Sequence, residues 1–169
     1  KLPIVPGENY GLLSLRLSLF VIKNWENFIK NLDYNNDNNK IKSKEDKFYR
    51  PKSYDVTIDW NKMSAKEIEN LVNACNPKYE GALTYIQNQP VKILEVSPVD
   101  FNNPPIRKAG SIIYSDFNQG VFVLCSDFRV LKINVVKTLE GTLSSSKLYL
   151  IGWNTNMTFE NSPLSLDAN

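Results

Sequence analysis

The chain has 169 residues, 42% hydrophobic, with 20 Lys+Arg against 18 Asp+Glu and a formal net charge of +2. That is enough for one domain with an appendage and an ordinary core, but too little charge to announce nucleic acid or an anionic membrane by itself. There is no histidine, which removes imidazole as general base, nucleophile activator or metal ligand, and no Gly-rich phosphate loop or Cys-x-x-Cys pair occurs.

Neither an apolar run of transmembrane length nor a leader pattern is found in the sequence. It starts at Lys1 rather than Met, so it is expected to begin inside a longer gene product. Lys1 to Gly7 reads as a short extended lead-in with Pro3 and Pro6. Leu13, Leu17, Phe20, Ile22, Trp25, Phe28, Ile29 and Leu32 then approximate a helical face, which predicts one amphipathic helix from about Asn9 to Leu32. Its apolar load exceeds what one small neighbour covers, so it packs on another body, on a second copy, or on this protein's own core. Asp33 to Ser53 is polar, asparagine-rich and aperiodic, the composition of a surface linker. Within it Phe48-Tyr49-Arg50 and Lys52 combine stacking surface with positive charge, as a contact for an anionic substrate would; a solvated linker whose aromatics dock on the body gives the same sequence.

Ile58-Asp59-Trp60 precedes a well-marked helix, with Trp60 read as a core anchor and Asp59 as a turn or cap partner. Ser64-Ala-Lys-Glu67 has capping-box spacing, and Ile68, Leu71, Val72 and Cys75 form one apolar face until Asn76-Pro77 stops it. Gly81 lets the chain redirect. Ala82 to Ile86 and Val91 to Val96, joined by Gln87-Asn88-Gln89-Pro90, predict a hairpin, with Pro98 ending its second strand. Further strands are expected at Gly110 to Tyr114, Val121 to Cys125, Val130 to Val136 and Lys147 to Trp153, with a turn at Ser126 to Arg129 and a polar, loosely held tail after Asn154. Cys75 and Cys125 read as two reduced core thiols of a cytoplasmic protein, with a disulfide between them as the alternative. Five or six short strands and one capped helix predict an α+β fold, a small OB-like antiparallel barrel preceded by a capped helix, a polar linker and an N-terminal amphipathic helix.

The ordered series Ile58-Asp59-Trp60, a short helix, Asn76-Pro77, Gly81-Ala82 and a hairpin ending near Ser97 resembles the C-terminal domain of the formyltransferase family. Ala109 to Ile113, Val121 to Ser126, Leu131 to Val135, Gly141 and Ser144 to Leu148 fit the later strands of that domain. The family includes methionyl-tRNA formyltransferases and enzymes that N-formylate amino sugars on nucleotide carriers. Its catalytic domain carries an Asn, a His and an Asp and ends in a strand, a Pro-containing turn and a long helix, to which Lys1-Leu-Pro-Ile4, Glu8-Asn9-Tyr10 and the helix to Leu32 are similar. The resemblance therefore implies that residues 1–32 are the last strand and helix of a truncated catalytic domain. Residues 33–57 would be a linker, 58–152 the barrel domain and 153–169 a polar tail.

On this reading no catalytic residue and no metal site falls on this chain, and 10-formyltetrahydrofolate belongs to the full-length enzyme rather than to this piece. The partners implied are the missing catalytic domain, a nucleotide-linked amino sugar or tRNA as formyl acceptor, and a second copy in a homodimer, with no membrane. Tyr79-Glu80 stands where the family often has Trp-Pro, Asn73 where an Arg is common, and Asp127-Phe128 where Asp-Gly is usual. These differences and the small net charge favour an amino sugar over tRNA. Tyr49, Arg50, Lys52, Lys78 and Tyr79 are the candidate substrate-binding residues, joining stacking surface to positive charge beside the linker and the first turn. A tRNA-binding domain and a free-standing interaction module are the two other readings.

Overall fold

The structure, a computed structural model, describes residues 2–32 and 51–163. The N-terminal helix expected over 9–32 is two helices. α1 (Tyr10–Lys23) starts at Asn9, whose side chain accepts from the Leu12 amide, and ends at Asn24. There Asn24 Nδ2 donates to the Phe20 carbonyl at 2.8 Å, the local side-chain bond by which asparagine competes with a continuing helix. α2 (Trp25–Leu32) follows, and Phe20 and Phe28 meet edge to face at 6.4 Å across the break. The apolar spacing runs on through Asn24 although the helix does not, which is why the pattern reads as one element. Residues 2–9 form no strand; Arg16 draws them onto α1 by donating to Glu8 and, at 3.2 Å, to the Pro3 carbonyl. α1 touches the body where the Gly11 amide donates to the Asn76 carbonyl at 3.3 Å. A Cβ at Gly11 would overlap the Pro77 ring, so this close approach requires glycine.

α3 (Ala65–Cys75) is the capped helix, with Ser64 accepting from the Glu67 amide while the Glu67 carboxylate accepts from the Ser64 amide at 2.8 Å. Ile68, Val72 and Cys75 are buried on one stripe, and the helix stops at Asn76, whose peptide bond to Pro77 is cis.

β1 (Ala82–Ile86) and β2 (Gln89–Val99) form the expected hairpin. Gln89 pairs directly with Ile86, so the connection is Gln87-Asn88 and not four residues. Both turn residues have positive φ, 49° and 65°, the backbone whose twist matches the flanking strands. Pro98 does not end β2. It lies opposite Leu131, beyond the reach of β1, where β2 has a neighbour on one side only and a missing N–H can face the open side. β3 (Ile112–Asp116), β4 (Gly120–Leu124) and β5 (Val130–Lys137) follow, and Cys125 and Arg129 close the turn between the last two with a 2.9 Å backbone bond. β6 (Thr142–Ser144) pairs with the end of β5.

Two expectations are overturned at the C-terminal end. The strand predicted at Lys147 to Trp153 is instead α4 (Ser145–Leu150), where Leu148 is buried and Tyr149, Leu150 and Ile151 are exposed; a short apolar run has no period that separates helix from strand. The tail after Asn154 is not loose over its described part. It carries β7 (Phe159–Glu160), paired with β1, and Phe159 is 1% exposed. A single aromatic in a polar run gives no periodic signal.

The strand order is β3-β4-β5-β2-β1-β7, with β6 beside β5 and every pair antiparallel. Helices and curled sheet make an α+β domain, with α3 packed on β2 and α4 on β4. The pairing of β2 with β5 shifts register around Leu94, a bulge of the kind that bends a strand, and Asn76 Nδ2 takes the Leu94 carbonyl at 2.9 Å. At the far ends of the sheet, the Ile112 amide donates to the Met157 carbonyl at 3.0 Å and the Phe159 amide to the Gly110 carbonyl at 2.8 Å. The core inside the curl is built round Trp60, stacked on Phe159 at 5.3 Å, with Trp153 edge-on to the same ring at 5.4 Å. Trp60 Nε1 donates to Thr84 Oγ1 at 2.8 Å, and that hydroxyl donates to the Glu160 carbonyl at 3.1 Å. β4 is buried on both faces, Val121 and Val123 inward and Phe122 and Leu124 in a second cluster with Val130. Cys75 and Cys125 are free and buried.

Candidate functional site

The turn between α3 and β1 gathers charge on the surface. Glu80 has φ 59° and Gly81 φ 98°; a Cβ at Gly81 would overlap the Ile93 carbonyl, so glycine is needed for the chain to pass. This backbone points the Glu80 carboxylate at two lysines on neighbouring strands. Lys137 Nζ donates to one oxygen at 2.7 Å and Lys92 Nζ to the other at 3.1 Å, with Lys92 also donating to the Tyr79 carbonyl at 3.1 Å. Lys92 and Lys137 are directly opposite in the β2–β5 ladder, an arrangement that is repulsive unless a counter-charge sits between them. The bonds from Lys137 first and Lys92 second hold the Glu80 carboxyl below the usual carboxylate range.

The predicted site residues divide. Lys78 and Tyr79 come together in this turn, the ammonium 5.8 Å from the ring centroid, and Tyr79 is also partly buried against the core. Lys52 pairs instead with Tyr54, 5.7 Å from its ring, beside the short 3-10 turn Ser53–Val56. Tyr49 and Arg50 lie outside the described residues. Sequence reasoning missed Glu80, Lys92 and Lys137 as members of the cluster, because only strand register reveals that the two lysines face each other.

The cluster is a surface ion pair in which one carboxylate is shared by two ammonium groups. Burial pushes the Cys125 thiol up to about 12, with the Asp127 carboxylate adding to the effect, and burial raises Cys75 against the opposing pull of Lys92. In both, burial disfavours the thiolate, the nucleophilic form. Among the described residues no group of three or more acidic or thiol side chains is arranged to hold a metal, and no helix is long and apolar enough to cross a membrane.

Over 70 residues, 41% of its length, the chain is 36% identical to a methionyl-tRNA formyltransferase of Ruminiclostridium cellulolyticum, and the match spans 22% of that protein. A crystal structure of HypX from Aquifex aeolicus in complex with tetrahydrofolic acid superposes with TM-score 0.48 and 15% identity, covering 61% of this chain and 17% of HypX. A variant of the same HypX gives TM-score 0.49 and 17% identity over 71% of this chain and 20% of that one. The chain thus spans about a fifth of the length of these relatives. Residues 52–152, more than half of the chain, match the model of the formyl transferase C-terminal domain, from the Lys52–Tyr54 pair through β1 to β6 and α4. The chain belongs to the family of formyl transferase C-terminal domains.

Proposed function

We propose that the chain is the C-terminal accessory domain of a 10-formyltetrahydrofolate-dependent formyltransferase acting on a nucleotide-linked amino sugar, and that it does not catalyse the transfer by itself. In this reading residues 1–32 are the final piece of the catalytic domain, 33–57 a linker and 58–152 an OB-like barrel, to which β7 is added from the tail. The observation that carries it is the surface of α1 and α2. No residue of α1 is buried, and Leu15, Leu19, Ile22, Trp25 and Phe28 are all exposed, Ile22 at 71% and Trp25 at 58%. An apolar face of this extent, on residues that precede the matched family domain, is what an interface with another folded body leaves when seen alone; the catalytic domain is the proposed occupant. The OB-like reading is supported by the backbone bonds that join the Gly110–Ile112 segment to Met157 and Phe159. The formyl donor is assigned to the catalytic domain, and a cytoplasmic location goes with the same proposal.

Lys78 and Tyr79, with Lys52, Tyr49 and Arg50, are proposed as contacts flanking the acceptor. The second reading, an acceptor tRNA, is favoured by the methionyl-tRNA formyltransferase relative. One experiment separates the two. The coding sequence upstream of Lys1 is joined to this chain, and formyl transfer from 10-formyltetrahydrofolate is measured with a nucleotide-linked amino sugar and with methionyl-tRNA. Transfer to the sugar is expected; transfer to the tRNA, with binding that weakens steeply as salt rises, would replace the first reading by the second. An upstream sequence encoding no catalytic domain would defeat both.

A further inference from the structure

One end of the curled sheet is open, and a cleft lies there. It sits where the β1–β2 turn, the β5–β6 turn and the turn after α4 come together. Its volume is about 470 Å³, within the range of small-molecule sites. The floor is the core itself, with Ile86, Val91 and Trp153 buried and Leu143 half-buried. The lips are Leu139, 79% exposed, and Ile151, 53% exposed.

A single exposed leucine is ordinary. Here Leu139 and Ile151 border one cleft whose floor is core surface, so the apolar area is continuous from rim to floor. Continuous apolar area in a concave site is the form in which a protein surface takes an apolar ligand. The turn that carries Leu139 is also set in advance. The Thr138 amide donates to the Gly141 carbonyl at 2.8 Å, and the Glu140 amide donates to Thr138 Oγ1 at 3.3 Å. Behind α4 the Trp153 amide returns to the Leu148 carbonyl at 3.1 Å. Walls fixed in this way lower the ordering cost of binding.

Charge selects among apolar ligands. Among the described residues that line the cleft, Glu140 is the only charged one, and it stands at the rim beside Leu139. The ammonium of Lys137, next to this turn in the chain, is engaged by Glu80 at 2.7 Å. An apolar anion would therefore meet a like charge at the entrance, whereas an apolar cation meets an opposite one. We propose that this cleft binds a small amphiphilic amine, an ammonium carried on a short alkyl or aryl body. The apolar body lies between Leu139 and Ile151 over Trp153, and the ammonium pairs with Glu140. The proposal uses no part of the formyltransferase reading and stands or falls separately from it.

The test is a titration of the isotopically labelled full chain, at a concentration below that at which it self-associates. Backbone amides and indole N–H resonances are followed, because a site-resolved readout separates the cleft from the apolar face of α1 and α2. Hexylammonium and phenethylammonium are the probes; hexanoate carries the opposite charge on a comparable body, and methylammonium carries the charge without the body. At least one amine probe is expected to shift the amides of Leu139, Glu140 and Leu143 and the Trp153 indole saturably. Hexanoate should bind more weakly, and methylammonium should leave these resonances in place. Glu140→Gln is expected to weaken amine binding by about threefold, the size of an exposed ion pair. Leu139→Ser should weaken it by about threefold or more through lost apolar contact. Both residues are exposed, so neither change threatens the fold. Absence of a saturable shift at these residues with either amine, hexanoate binding as tightly as hexylammonium, or a Glu140→Gln or Leu139→Ser protein that titrates like the parent would overturn the proposal.

Discussion

Glu80 is held below the usual carboxylate range by Lys137 and Lys92. The stabilisation it supplies is therefore present above the ordinary glutamate value and is lost as the pH falls through the depressed one. Glu80→Gln should lower the urea midpoint at neutral pH, where Lys92 and Lys137 then face each other without a counter-charge, and should change it little in acid. The neutral-pH difference should shrink with added salt because the site is exposed; an equal effect at both pH values would assign the loss to packing instead. Gly81 presents a different constraint, since a side chain there is opposed both by its φ of 98° and by the Ile93 carbonyl. Gly81→Ala is expected to cost about 1–3 kcal/mol in equilibrium unfolding. Thr84 is buried between the Trp60 N–H and the Glu160 carbonyl. Thr84→Val keeps its shape but leaves both partners unsatisfied, with an expected loss of about 1–3 kcal/mol and a change in Trp60 fluorescence.

Among the elements, β7 is two residues long, yet it joins β1 to the segment before β3 and puts Phe159 between two tryptophans. Phe159→Ala should cost about 3–5 kcal/mol, and ending the chain at Asn154 should abolish cooperative thermal unfolding. A truncated protein that melted like the parent would show that β7 is an ornament on a finished sheet. This element also marks where the sequence stops being legible. The capping box at Ser64, the apolar stripe of α3, the β1–β2 hairpin and strands β3 to β5 are all written locally, in spacing and turn residues. β7 and α4 are not, because Phe159 and Leu148 are each buried by partners distant in sequence. The break at Asn24 is hidden for the opposite reason, since the apolar pattern continues through it. At the site, Lys78 and Tyr79 are legible as neighbours in one turn. The Lys92–Glu80–Lys137 cluster is not, because it depends on which residue of β2 faces which residue of β5.

For the molecule as a whole, the exposed apolar face of α1 and α2 is expected to govern behaviour in solution. The isolated chain should self-associate with rising concentration and bind a dye specific for apolar surface. Replacing Leu15, Leu19 and Ile22, one stripe of α1, by Gln should reduce both, and unfolding of the sheet followed by Trp60 fluorescence should stay unchanged; loss of sheet stability would mean that α1 belongs to the same cooperative unit. The bond from Trp60 to Asn161 spans 101 residues, and that separation bears on how the protein comes into being. During synthesis Trp60 leaves the ribosome before Phe159 and Asn161 do, so the growing chain carries an uncovered indole and an unfinished sheet edge until they emerge. Because closure of the core waits on these late, distant contacts, the apolar surface that Phe159 covers stays open to non-native association until β7 has emerged.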